Sequence, residues 1–226
     1  MTEQATDKNT APHHETPVLG NPDLPQEGMQ AATGDPASTT MMGPRNQVLE
    51  GQFPNVITAP GTDVSTQPFF WSSFNISPRR QQRGGWAREL TQSDFAISDE
   101  IAGVNMYLEP GGIRELHWHQ TADEWQYYMQ GSARMTVFNT GPHANTTDFR
   151  AGDVGVVRRN CGHYVENTGD DDLIFIETFR SDHYEEVSLA NWLSHLPPKL
   201  VSAHLNIPEE TLAKFPRGAQ GIVPLS

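Results

Sequence analysis

Residues 111–124 read Gly111-Gly112-Ile113-Arg114-Glu115-Leu116-His117-Trp118-His119-Gln120-Thr121-Ala122-Asp123-Glu124. Side chains of an extended chain alternate between two faces, so His117 and His119 share one face of a strand. Glu124 follows past a short polar step, at the head of a second strand-like run. Farther on, His163 stands next to Gly162 in Asn160-Cys161-Gly162-His163-Tyr164. Three imidazoles and a carboxylate can converge on one divalent cation, which makes His117, His119, Glu124 and His163 the candidate metal ligands. The spacing predicts a β-barrel built around them.

Outward from this stretch, short apolar runs alternate with turn residues. Strands are expected at Trp86–Leu90, Ile101–Glu109, Ile113–His119, Glu124–Met129, Ala133–Asn139, Val154–Val157, Tyr164–Glu166 and Leu173–Phe179. Pro110-Gly111-Gly112, Gln130-Gly131-Ser132 and Ala151-Gly152-Asp153 break them, and Gly141–Asn145 reads as a loop. Short strands with glycine turns at this spacing indicate an all-β sandwich or small barrel. After Arg180 the period changes. Ser188–Leu196 has helical spacing with Ser188 as N-cap and Pro197-Pro198 as the stop, and Pro208–Phe215 reads as a second short helix.

The chain thus divides into a polar, disordered arm (1–42), an N-terminal extension packing on the barrel or a neighbouring subunit (43–100), the barrel (101–180), and a lid loop with a C-terminal helical segment (181–226). The extension holds apolar anchors at Phe53, Val56, Ile57, Phe69, Phe70, Trp71 and Phe74. His13-His14, isolated in the arm, is not read as a ligand pair. The formal charge of −13 argues against nucleic acid or an anionic membrane as partner. An anionic substrate needs a locally positive site. Cys161 is the single cysteine and reads as a small buried thiol. No basic n-region with an apolar follow-on and no long apolar run occurs, so a cytoplasmic protein is expected.

Gly111, His117, His119, Glu124 and Gly131 resemble the first cupin motif, and Gly152, His163 and Asn167 most of the second. Arg158 and Asn160 depart from the second, standing where a proline and a small residue are usual. Glu109–His119, Glu124–Tyr128, Gly131–Phe138 and Gly162–Asn167 resemble the oxalate decarboxylases within that superfamily, and most of all the second of their two cupin domains. The resemblance implies a single jelly-roll (double-stranded β-helix) barrel with short C-terminal helices and an extended arm, a monocupin relative of those two-domain enzymes. Further, it implies Mn(II), with Fe(II) as the alternative, dioxygen as a second cofactor, oxalate as substrate, and a homo-oligomer, trimer or hexamer.

An N/O donor set with two open positions suits Mn(II) or Fe(II), although raw affinity favours zinc, nickel and copper. The family places Arg114 at the substrate, yet strict alternation puts it opposite His117, so an irregular backbone is expected near Gly111-Gly112. Glu177 shares a strand face with Leu173, Phe175 and Phe179, where burial would raise its pKa; it is the expected base. The resemblance also implies Tyr184 as a hydrogen-bond donor to the substrate. Trp118 and Trp125 are read as core packing. The family's lid glutamate has no direct counterpart in Arg180–Glu186, where Glu185 or Glu186 could substitute. Three functions stay open: oxalate decarboxylase, oxalate oxidase giving carbon dioxide and hydrogen peroxide, or a non-enzymatic carboxylate-binding metal protein.

Overall fold

The computed structural model describes residue 74 and residues 79–93, 95–183, 185–215 and 221–225. The 1–42 arm, the anchors Phe53 to Trp71 and Tyr184 lie outside the described residues.

The strands are β1 (Arg79–Gln82), β2 (Gly85–Leu90), β3 (Ala102–Leu108), β4 (Gly112–Trp118), β5 (Glu124–Gln130), β6 (Ser132–Phe138), β7 (Ala144–Arg150), β8 (Val154–Val157), β9 (Gly162–Asn167), β10 (Leu173–Phe179), β11 (Val187–Ser188) and β12 (Ile222–Pro224). Three short helices, α1 (Leu189–Ser194), α2 (Pro198–Leu205) and α3 (Glu209–Leu212), lie between β11 and β12. One sheet runs β1-β2-β3-β10-β5-β8; the other runs β11-β4-β9-β6-β7, with β12 also on β4. Every pairing is antiparallel. This is the all-β, two-sheet barrel that the alternation predicts.

The inner faces follow from the period of two. In β10, Leu173, Phe175, Glu177 and Phe179 all point inward and are buried, and Met106, Leu108, Tyr128, Met135, Phe149 and Val165 fill the space between the sheets. Glycine is required where strands turn tightly. Gly131 has φ +84, and a Cβ there would stand 2.6 Å from the Asp172 carbonyl oxygen. Cys161 is buried, as expected. Among the described residues no helix is long and apolar enough to cross a membrane.

Four expectations are corrected. Residues 144–150 form β7, an edge strand whose polar, largely exposed side chains carry no apolar alternation to reveal it. Pro197-Pro198 ends one helix but also opens α2, since proline at the first helical positions loses no internal hydrogen bond. Trp125 faces outward and is 44% exposed, while Trp118 packs edge-to-face on Trp192 at 6.1 Å. Both alternate with inward residues, so the pleat turns them away from the core.

Ser188 caps α1: its Oγ accepts the Asn191 N–H at 3.2 Å and donates to Glu115 Oε2 at 2.7 Å. Ser188→Ala removes a cap and a partner of a buried carboxylate. The expected loss is about 1–3 kcal/mol, read as a lower denaturation midpoint with an unchanged slope.

Candidate metal centre

β4 carries the centre and is clasped on both edges. β9 pairs with one side; β11 and β12 divide the other, with Ser188 opposite His117 and Ile222 opposite Arg114. Between Arg114 and His117 the register with β9 shifts, so Arg114, Glu115 and His117 are all buried while Leu116 is 55% exposed. The irregularity thus falls after Arg114 rather than at Gly111-Gly112. It puts Arg114 and His117 on the barrel's inner side, three residues apart. His119 follows the end of β4, Glu124 begins β5, and His163 stands opposite His117 across the β4–β9 pair. Asn160 turns the chain into β9 with φ 65, its N–H donating to the His119 carbonyl at 2.7 Å. Asparagine is among the few side chains that tolerate that conformation, which explains its place where a small residue is usual.

One ligand atom from each of His117, His119, Glu124 and His163 lies within 4.8 Å of the others, and all four residues are buried. His117 Nε2 is 3.1 Å from His119 Nε2; Glu124 Oε2 is 3.1 Å from His119 Nε2 and 2.9 Å from His163 Nε2. Each Nδ1 meets a main-chain carbonyl: Glu115 at 2.6 Å, Glu185 at 2.7 Å and Cys161 at 3.1 Å, for His117, His119 and His163 respectively. A carbonyl only accepts, so each Nδ1 carries a proton and each ring turns its Nε2 edge to the centre. Burial, then Arg114 and the two neighbouring imidazoles, hold the His117 pKa well below its ordinary value, which keeps the ring neutral. Burial would raise Glu124, but His163 and His119 hold it well below the usual carboxylate range. Three imidazole Nε2 atoms converging beside a carboxylate are a donor set that fits a divalent metal.

A layer behind Glu124 was not anticipated. Gln126 Nε2 donates to Glu124 Oε1 at 2.5 Å, and Tyr128 Oη donates to Gln126 Oε1 at 2.6 Å. Gly155 leaves room for this amide, since a Cβ there would stand 2.8 Å from its Oε1. Gln126 is two residues from Glu124 on the same face, so the alternation carried the signal. Gln126→Leu should weaken metal affinity about 10- to 100-fold, checked by Mn(II) titration.

Glu177 is 1% exposed, and its Oε2 has no hydrogen-bond partner among the described residues. Burial, then the charge of Glu124, pushes its pKa well above the usual carboxylate range, against Arg114 and Arg80. Arg114 is fully buried, donates to the Gly221 carbonyl at 2.9 Å, and pairs with Glu186. Phe179 packs on the His119 ring at 4.7 Å. A cleft of about 590 Å³, lined by Asp123, Glu124, Phe179 and Arg180 among others, abuts the cluster.

Two sheets enclosing a three-histidine, one-carboxylate cluster are matched by a family assignment: residues 72–213 fit the family model described as Cupin. The chain belongs to the cupin family. This cupin is 41% identical to oxalate decarboxylase OxdC of Bacillus subtilis over 174 residues, which are 75% of this chain and 45% of that protein. It is 43% identical over 141 residues to a probable oxalate decarboxylase of Arthroderma benhamiae, covering 62% of this chain and 35% of that one. The chain therefore spans less than half the length of these relatives. A solved structure concerned with the Mn(II) centres of the Bacillus subtilis oxalate decarboxylase superposes with a TM-score of 0.63 at 43% identity, over 65% of this chain and 39% of that one. A mutant of OxdC gives 0.65 at 42% identity, over 66% and 40%.

Proposed function

We propose that this cupin is a Mn(II)-dependent, dioxygen-requiring oxalate decarboxylase, converting oxalate and a proton to formate and carbon dioxide. The convergence of three imidazole Nε2 atoms on the Glu124 carboxylate carries the reading. The identity to oxalate decarboxylases, one with described Mn(II) centres, supports it.

When bound, Mn(II) supplies a Lewis acid and a redox partner for a carboxylate ligand. The residues His117, His119, Glu124 and His163 would hold it. Arg114 offers a buried guanidinium to the carboxylate that stays off the metal. Glu177, whose acid form its burial favours, delivers the proton that becomes the formate C–H. This inverts the base role expected from sequence, because burial and Glu124 favour its acid form. On the resemblance alone, Tyr184 adds a hydrogen bond to the substrate.

One observation favours oxalate oxidase as the second reading. Glu186 is engaged by Arg80 and Arg114, and Glu185 lies exposed beside His183, so neither stands as a lid acid over the cluster. Mn-loaded protein with oxalate under air separates the readings: formate and carbon dioxide for the decarboxylase, hydrogen peroxide and carbon dioxide for the oxidase. Neither product from a fully loaded protein would remove both.

A homo-oligomer is part of the same proposal. Trp125, Tyr127, Val154 and Val156 form an outward apolar face 40–53% exposed, larger side chains than a solvated sheet face ordinarily carries. Light scattering should give a multiple of 25.1 kDa; a single-chain mass would contradict it.

A further inference from the structure

Among the described residues, Glu186 is a carboxylate held by both Arg80 and Arg114. Its Oε1 takes Arg80 and its Oε2 takes Arg114. Arg114 is fully buried, the Glu186 side chain is 8% exposed and Arg80 is 27% exposed, so the pair with Arg114 is the inner one. Gly221 keeps both guanidinium groups close: a Cβ there would meet Arg80 Nη1 at 3.0 Å and Arg114 Nη1 at 3.2 Å. Arg80 also pairs with Glu89 at 3.0 Å.

The backbone on either side of Glu186 is pinned. The Glu185 carbonyl accepts from His119 Nδ1, and Val187 and Ser188 pair with Trp118 and His117. The Glu186 side chain can therefore swing while its main chain stays in place. A swing away from Arg114 does not strand a buried charge, because Arg80 still holds it.

Resting on the oxalate reading above, we propose that Glu186 is a tethered carboxylate seated on Arg114, which any carboxylate that uses Arg114 must displace, so that the site holds a monocarboxylate product weakly and releases it. A tethered competitor acts at an effective concentration of roughly millimolar or above. A dicarboxylate can offset this by engaging the metal with one end and Arg114 with the other. A monocarboxylate such as formate has one end only. Once it forms, Glu186 returns to Arg114 and formate leaves. No covalent step is involved; one ion pair replaces another.

The test is calorimetric titration of Mn-loaded protein with formate, and with oxalate under exclusion of dioxygen. Glu186→Gln keeps the shape and removes the competing charge. It should bind formate and oxalate each about tenfold tighter. Glu186→Asp keeps the charge but cannot span both arginines, so it should move formate affinity the same way by less, and it serves if the glutamine variant does not fold. Formate binding that is unchanged or weaker in the variants, with oxalate still bound by the wild type, overturns the exchange and leaves the oxalate reading standing. Tighter formate binding in the variants with no oxalate binding by the wild type supports the exchange and removes oxalate as the ligand. If no protein takes up either carboxylate, both fall.

Discussion

Glu177→Gln is expected to retain one Mn(II) per chain and to lose turnover of oxalate by about 10²- to 10⁴-fold, the usual contribution of a positioned general acid. Glutamine keeps the shape of the side chain, and Glu177 is not among the four residues whose ligand atoms converge. Loss of rate with intact metal content separates proton delivery from metal binding. Unchanged turnover would take Glu177 out of the chemistry. The same variant has a signature in the metal-free protein. Because the folded pKa of Glu177 is raised, its contribution to stability is fully present below the ordinary carboxylate pKa and is lost as pH rises through the folded value. The unfolded chain releases this proton first, so stability falls with rising pH across that window. Glu177→Gln should flatten that fall in denaturant titrations followed against pH. Glu124 acts in the opposite direction: its lowered pKa contributes stability above the ordinary carboxylate value, lost as pH falls through the folded one.

His163→Ala should have the second large effect. His163 Nε2 is 2.9 Å from Glu124 Oε2, and its removal leaves two adjacent imidazoles and a carboxylate with a gap in the donor set. The expected result is loss of stoichiometric Mn(II) binding and of all turnover. The metal-dependent rise in melting temperature should vanish too, because a ligand that binds only the folded state stabilises it in proportion to its affinity. Retained Mn(II) stoichiometry and thermal shift in this variant would place the ion elsewhere.

Much of this architecture was legible because two simple signals agree. The period of two marked the inner faces of β4, β5 and β10, and glycine turns marked their ends. The convergence of His117, His119, Glu124 and His163 follows from that combination. What escaped the sequence is what depends on neighbours in space. β7 is polar and pairs on one side only, so nothing in its composition distinguishes it from a loop. β11 and β12 are two and three residues long and exist because β4 offers them an edge. The register shift after Arg114 has no local marker, since Glu115 and Leu116 are ordinary strand residues. The Glu186 pairing joins residues 106 positions apart, which no spacing rule reaches. The outward Trp118 and Trp125 show the reverse error: bulk suggested a core position where alternation with the inward histidine and glutamate dictated the surface.

The central claim is that one metal ion is held by three imidazoles and one carboxylate drawn from distant parts of the chain. X-ray absorption at the manganese edge of stoichiometrically loaded protein tests it directly. The account predicts a mixed nitrogen–oxygen shell with the multiple-scattering signature of three imidazoles. A shell of oxygen atoms alone would contradict it, and with it the proposed chemistry.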